Sequence, residues 1–140
     1  MTSFDDFDLN DNLLRGIYSY GFENPSPIQS KAIPFMNTKN DLIAQAQSGT
    51  GKTGAFSIGI LNNIDPSQQS IQALVVNPTH ELANQNCNVM RELSNYMNVD
   101  ILPVVGGTNV RKCQDDLQKE PHIVVGTPGR ILDMIQKQYL

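Results

Sequence analysis

Ala46-Gln47-Ser48-Gly49-Thr50-Gly51-Lys52-Thr53 follows the apolar run Leu42-Ile43-Ala44 and opens a stretch with helical spacing. A strand, a glycine-rich turn and a helix, in that order, are the context a phosphate-binding loop requires. The glycines let backbone amides fold round a β-phosphate. Lys52 supplies charge to the β- and γ-oxygens, and the Thr53 hydroxyl is suited to ligate Mg2+. The pattern G-x-x-x-x-G-K-[ST] is met everywhere except its first position, where Ala46 stands and is small enough for the turn.

Three further runs rich in Val, Ile and Leu follow: Ala73-Leu74-Val75-Val76, Ile101-Leu102-Pro103-Val104-Val105 and Ile123-Val124-Val125. None alternates with polar residues, as suits strands covered on both faces. Helical segments separate them at intervals of about 20–30 residues, which fits βαβ units. The expected fold is α/β, a parallel-sheet P-loop domain with helices on both faces. Two N-terminal helices precede it, one from Asn10 to a cap at Gly21, the other from Ser26 with Pro27 at its first position. Each expected strand runs into a turn that opens a helix: residues 46–53, Pro78-Thr79-His80-Glu81, Gly106-Gly107-Thr108-Asn109 and Thr127-Pro128-Gly129-Arg130. In an open parallel sheet such turns share the carboxyl edge, where ligands bind. Helix starts there offer N–H groups and partial positive charge to anions. One start can serve a nucleotide; the others need a different polyanion.

The chain has 140 residues, 39% hydrophobic and 17% charged, which excludes a disordered tail and a membrane protein. No apolar run reaches the ~20 residues of a membrane span, and the polar start MTSFDDFDLN is not a signal peptide. Cys87 and Cys113 match no metal spacing and read as reduced thiols of a cytoplasmic protein. The net charge of −4 comes from Asp5, Asp6, Asp8 and Asp11, which leaves ten acidic and ten basic residues in the rest. No broad basic field marks a nucleic-acid binder, so any such binding must rest on local geometry.

Several motif residues have plain structural readings. Ser26-x-x-Gln29 is a capping box, and Phe22 suits a core. Gln29 could equally donate to and accept from an adenine edge, with Phe22 stacked on the base. His80 reads as a solvated or capping residue, Glu81 as a helix-dipole partner, Gly106-Gly107 as a tight turn, and Thr127-Pro128 as an N-cap with proline. His122, just before a strand, reads as structural.

As a set, these segments resemble the N-terminal motifs of DEAD-box RNA helicases in order and spacing. The segments are Gly21-Phe22-x-x-Pro25-x-x-Ile28-Gln29, residues 46–53, Pro78-Thr79-His80-Glu81-Leu82-Ala83, Gly106-Gly107 and Thr127-Pro128-Gly129-Arg130. The resemblance covers essentially the whole chain. Ser3-Phe4-Asp5-Asp6 with Leu13-Leu14-Arg15-Gly16-Ile17 is similar to the translation initiation factor four-A subgroup.

The resemblance implies residues 1–38 as N-terminal helices with the adenine motif, and 39–140 as a partial RecA-like ATP-binding domain ending before an Asp-Glu-Ala-Asp segment. Gln29 and Phe22, with Phe4 upstream, would recognise adenine. Ser48, Gly49, Thr50, Gly51, Lys52 and Thr53 would hold ATP, with Thr53 on Mg2+ and Lys52 and Thr53 serving catalysis. Pro78, Thr79, His80, Glu81, Gly107, Thr127, Pro128, Gly129 and Arg130 would line an RNA backbone, largely independent of base sequence. A second helicase domain and translation scaffold proteins are the implied partners. The chain alone is expected to bind ATP weakly and hydrolyse none. His80 departs from the family's Arg and removes a permanent, bidentate phosphate donor. An alternative is a non-catalytic, nucleotide-gated RNA clamp or scaffold adaptor. A small-molecule P-loop kinase leaves the turns at 106–107 and 127–130 unexplained.

Overall fold

A computed structural model describes residues 3–38, 42–43, 51–107 and 109–140. They form two compact units, residues 1–63 with 89–98, and residues 64–88 with 99–140. The helix that follows the glycine-rich loop packs with the N-terminal helices in the first of these units.

In the first unit a short 3-10 turn, Phe4–Phe7, is closed by Ser3, whose N–H donates to Asp6 Oδ2 at 2.8 Å. Helix α1 (Asp11–Tyr20) starts where Asn10 Oδ1 accepts from Asn12 N–H at 2.9 Å, and stops at left-handed Gly21. Its buried stripe is Leu13, Gly16 and Ile17, one face at helical spacing. Helix α2 (Pro27–Met36) has Ser26 as cap and Pro27 in its first turn, as expected. Helix α3 (Lys52–Asn62) presses Gly59 against Met36, where a Cβ would meet the sulfur at 2.4 Å. An asparagine chain locks these segments: Asn10 N–H donates to Asn62, Asn62 to Asn37, and Asn37 to the Phe7 carbonyl.

The second unit is built on β1 (Ala73–Val76), β2 (Ile101–Val104) and β3 (Ile123–Gly126), with helices α5 (Val110–Gln118) and α6 (Pro128–Gln136) and the first part of α4 (His80–Leu93), whose end from Val89 belongs to the first unit. All pairings are parallel and the order is β1-β3-β2, with Ala73 and Ile101 both opposite Ile123. This is the α/β parallel sheet expected from the four apolar runs. Central β3 is buried along its length and packs Val124 with Val104, Cys113, Leu117, Ile131 and Met134. Pro103 is tolerated because β2 lies outside β3.

Two strand expectations need correction. Leu42 and Ile43 form no strand, and Ile43 is 99% exposed; Ala44 lies outside the described residues. A strand gains stability only from a paired neighbour, and no pairing to Leu42 or Ile43 is present among the described residues. Burial on both faces holds for β3 but not for β1, whose Leu74 and Val76 are exposed while Ala73 and Val75 are half-buried, so among the described residues one of its faces is uncovered.

His122 is fully buried at the entry to β3. Its Nδ1 accepts the Asp100 N–H at 3.0 Å, and its Nε2 faces the Pro66 carbonyl at 3.1 Å. Only the tautomer with the proton on Nε2 satisfies both contacts. Nearby, the Ser67 hydroxyl and then its N–H hold the Asp65 carboxyl below its ordinary range. Cys87 and Cys113 are buried and form no disulfide. Among the described residues, no helix is long and apolar enough to cross a membrane.

Candidate functional site: a glycine-rich helix start and a three-turn edge

In the first unit, Gly51 is the N-cap of α3 in the left-handed region, with φ +92°, and as a glycine it brings no capping side chain. Lys52 is exposed and Thr53 half-buried in the first turn that follows. The opening amides of α3 and these two side chains therefore form a start suited to an anion. Ser48, Gly49 and Thr50 lie outside the described residues.

Gln29 is 3% exposed and lies directly against this start. The capping box exists: Ser26 N–H donates to Gln29 Oε1 at 2.9 Å, and Gln29 N–H donates to Ser26 Oγ at 3.3 Å. The same amide also donates through Nε2 to the Gly51 carbonyl at 3.3 Å. Each end of the amide keeps one further hydrogen-bonding position. The capping role and a ligand role are thus compatible. A Cβ on Gly51 or Gly54 would come within 2.7 or 2.8 Å of Gln29 Nε2, so both glycines permit this approach.

Phe22 is half-buried, with its ring 4.9 Å from that of Tyr20 and stacked on Phe4 at 6.2 Å. Phe4 itself is 0% exposed, enclosed also by Phe7 and Tyr18. Of the two rings expected at a base, Phe22 is thus the more accessible, and Phe4 packs behind it.

In the second unit three turns leave the carboxyl ends of β1, β2 and β3. Asn77, just past β1, donates its N–H to the Gly126 carbonyl at 2.8 Å, and Thr127, just past β3, donates to the Val104 carbonyl at 3.1 Å. These two bonds align the exits of all three strands. Gly107 has φ +81°, and a Cβ there would lie 3.4 Å from His80 Cε1. The His80 ring therefore reaches the turn after β2.

Thr79, not His80, caps α4: its Oγ1 accepts from Leu82 N–H at 3.2 Å and its carbonyl from Ala83 N–H at 3.0 Å. Thr127 occupies the cap position of α6, but its side chain makes no capping bond, which corrects the plain N-cap reading. Pro78, Thr79, His80, Glu81, Gly107, Pro128 and Gly129 are exposed, and Thr127 and Arg130 are half-buried. The starts of α4, α5 and α6 and the residues singled out from sequence thus share one edge. Sequence reading missed Asn77 and Asn86, which are buried within 6% exposure and hydrogen-bonded to each other. No local signal marks such a pair, since the partners come from different elements.

The chain belongs to the DEAD/DEAH box helicase family, whose profile matches residues 26–140. It is 56% identical to Eukaryotic initiation factor 4A of Caenorhabditis elegans over 138 residues, covering 99% of this chain and 34% of that protein. ATP-dependent RNA helicase eIF4A of Chaetomium globosum is 52% identical, with 99% and 35% covered. Among solved structures, Saccharomyces cerevisiae Dbp5 bound to RNA and ADP BeF3 superposes with a TM-score of 0.91 at 36% identity, covering all of this chain and 35% of that one. A DEAD box protein from Methanococcus jannaschii gives 0.90 at 36% identity, with all of this chain and 38% of that one covered. The chain spans about a third of the length of the relatives it matches. Its fold is that of the RecA-like P-loop domain of these proteins.

Proposed function

We propose that the chain is the nucleotide- and RNA-binding N-terminal part of an ATP-dependent RNA helicase that serves translation initiation in the cytoplasm. Family membership and the names of the relatives support this reading. The observation that carries it is the pair of backbone bonds, Asn77 to Gly126 and Thr127 to Val104, that gathers three turns on one edge. A chain of net charge −4 without a basic field can still hold a polyanion through such gathered helix starts and backbone amides.

In this reading Ser48 to Thr53 cradle the triphosphate, with the Lys52 ammonium on the β- and γ-oxygens and Thr53 Oγ1 on Mg2+. The start of α3 at Gly51 suits such a group, since glycine has no side chain to cap the helix and the first amides of a helix lack partners within it. Mg2+, when bound, neutralises charge on the transferring phosphate. Gln29 reads the adenine edge and Phe22 stacks on the base. Pro78 to Glu81, Gly107 and Thr127 to Arg130 take RNA sugar and phosphate, so base sequence matters little. A second helicase domain and translation scaffold proteins complete the assembly.

The test uses two substitutions, one in each unit. Binding of a fluorescent ATP analogue with Mg2+, and of a short oligouridine, is measured for Lys52→Ala and Arg130→Ala. Lys52→Ala should lose the nucleotide and keep the RNA; Arg130→Ala should do the reverse. If circular dichroism shows both variants folded and neither loses its own ligand selectively, the reading fails.

A further inference from the structure

Helix α4 turns Ala83, Asn86 and Cys87 inward, a buried stripe at helical spacing. An apolar side chain is the ordinary occupant of the middle position. Asn86 stands there instead, 6% exposed, and a buried amide is costly unless it is paired. Its partner is Asn77, 5% exposed: Asn86 Nδ2 donates to Asn77 Oδ1. Asn77 Nδ2 in turn reaches back to the Val75 carbonyl at 3.5 Å, and Asn77 N–H donates to the Gly126 carbonyl at 2.8 Å. One residue thus ties the end of β1 to α4 through its side chain and to the end of β3 through its backbone.

Asn77 also immediately precedes Pro78, whose ring restricts the residue before it to extended conformations. With its side chain held by α4, the direction in which the chain leaves β1 has little freedom. That direction sets where Thr79 caps α4 and where His80 meets Gly107. We propose that the buried Asn77–Asn86 amide pair is a positioning device for the RNA-facing turn after β1. It fixes the approach of Thr79 and His80 to the backbone phosphates without touching them. This inference rests on the RNA-binding reading of the three-turn edge.

Backbone amide exchange by NMR tests the pair without any ligand. In Asn86→Leu, the bonded amides of Asn77, Leu82 and Ala83 should exchange faster by on the order of tenfold. The Cys113 and Ile131 amides, bonded to the Asn109 and Thr127 carbonyls, should keep their protection. A general loss of stability would speed all five together, and that result overturns the proposal.

The double variant Asn77→Ala/Asn86→Leu removes both amides and leaves neither unpaired, so thermal stability should return. Oligouridine affinity should stay reduced by a factor like that of the exchange, while binding of the ATP analogue is unchanged. Recovery of RNA affinity together with stability would show that the pair merely fills space, and would overturn the proposal. If the parental chain binds no oligouridine while the local exchange pattern appears, the RNA reading falls and the control of the turn stands.

Discussion

His122 Nδ1 accepts the backbone N–H of Asp100 at 3.0 Å, so a side chain at the entry of β3 holds the residue that leads into β2. The same ring reaches Pro66 ahead of β1 through Nε2. One imidazole therefore joins the entries of β2 and β3 to the loop that precedes β1. Replacing it by Leu fills similar space but leaves two backbone groups without partners. We expect His122→Leu to cost about 2–4 kcal/mol, two orphaned groups at the usual price of each. Chemical denaturation gives the value directly; a loss near zero would mean that water satisfies both groups.

Gly16 lies against the backbone at the end of α4, and a Cβ there would stand 1.9 Å from the Leu93 carbonyl oxygen. Alanine normally favours a helix over glycine by roughly 1 kcal/mol. Here steric overlap reverses the sign, because a backbone carbonyl cannot swing away as a side chain can. Gly16→Ala should destabilise by about 3 kcal/mol, the upper range for overpacking. A raised melting temperature for this variant would contradict the packing of α1.

Gln29→Ala removes the capping reciprocity with Ser26 and the bond to Gly51. Stability should fall by about 1 kcal/mol, as for other lost caps. If Gln29 also reads adenine, the gap between ATP and GTP affinity should narrow, because mispaired polar groups then no longer reject guanine. Competition binding of ATP and GTP, set beside thermal unfolding, separates the two effects. Lower stability with unchanged discrimination assigns Gln29 to capping alone.

His80→Arg places a permanent, bidentate donor beside Gly107. RNA affinity should rise by about 1 kcal/mol and fall more steeply with added salt. Titrations at two salt concentrations that superimpose for both proteins would remove His80 from the interface.

Much of the molecule could be read residue by residue. Asn10, Ser26 with Gln29, Pro27 and Gly21 announce helix ends because caps and turns act through bonds spanning two to four positions. The unalternating Val and Ile of residues 123–125 announce a buried strand, and Gly51 before Lys52 announces a helix start. These signals are local, so their physics is complete within the quoted stretch. Phe4 shows the limit. Its place in a motif suggests a ligand contact, and no local pattern announces that three aromatic rings brought together by folding enclose it.

Strand order is the other case. Nothing in three similar apolar runs ranks the last of them as the centre; β3 lies between β1 and β2 because it alone can be covered on both faces and paired on both edges. The bond between Asn77 and Asn86 and the close approach of Gly16 to Leu93 are likewise written in neither neighbourhood. Each depends on where a second segment comes to rest, and that position is the outcome of packing all the others.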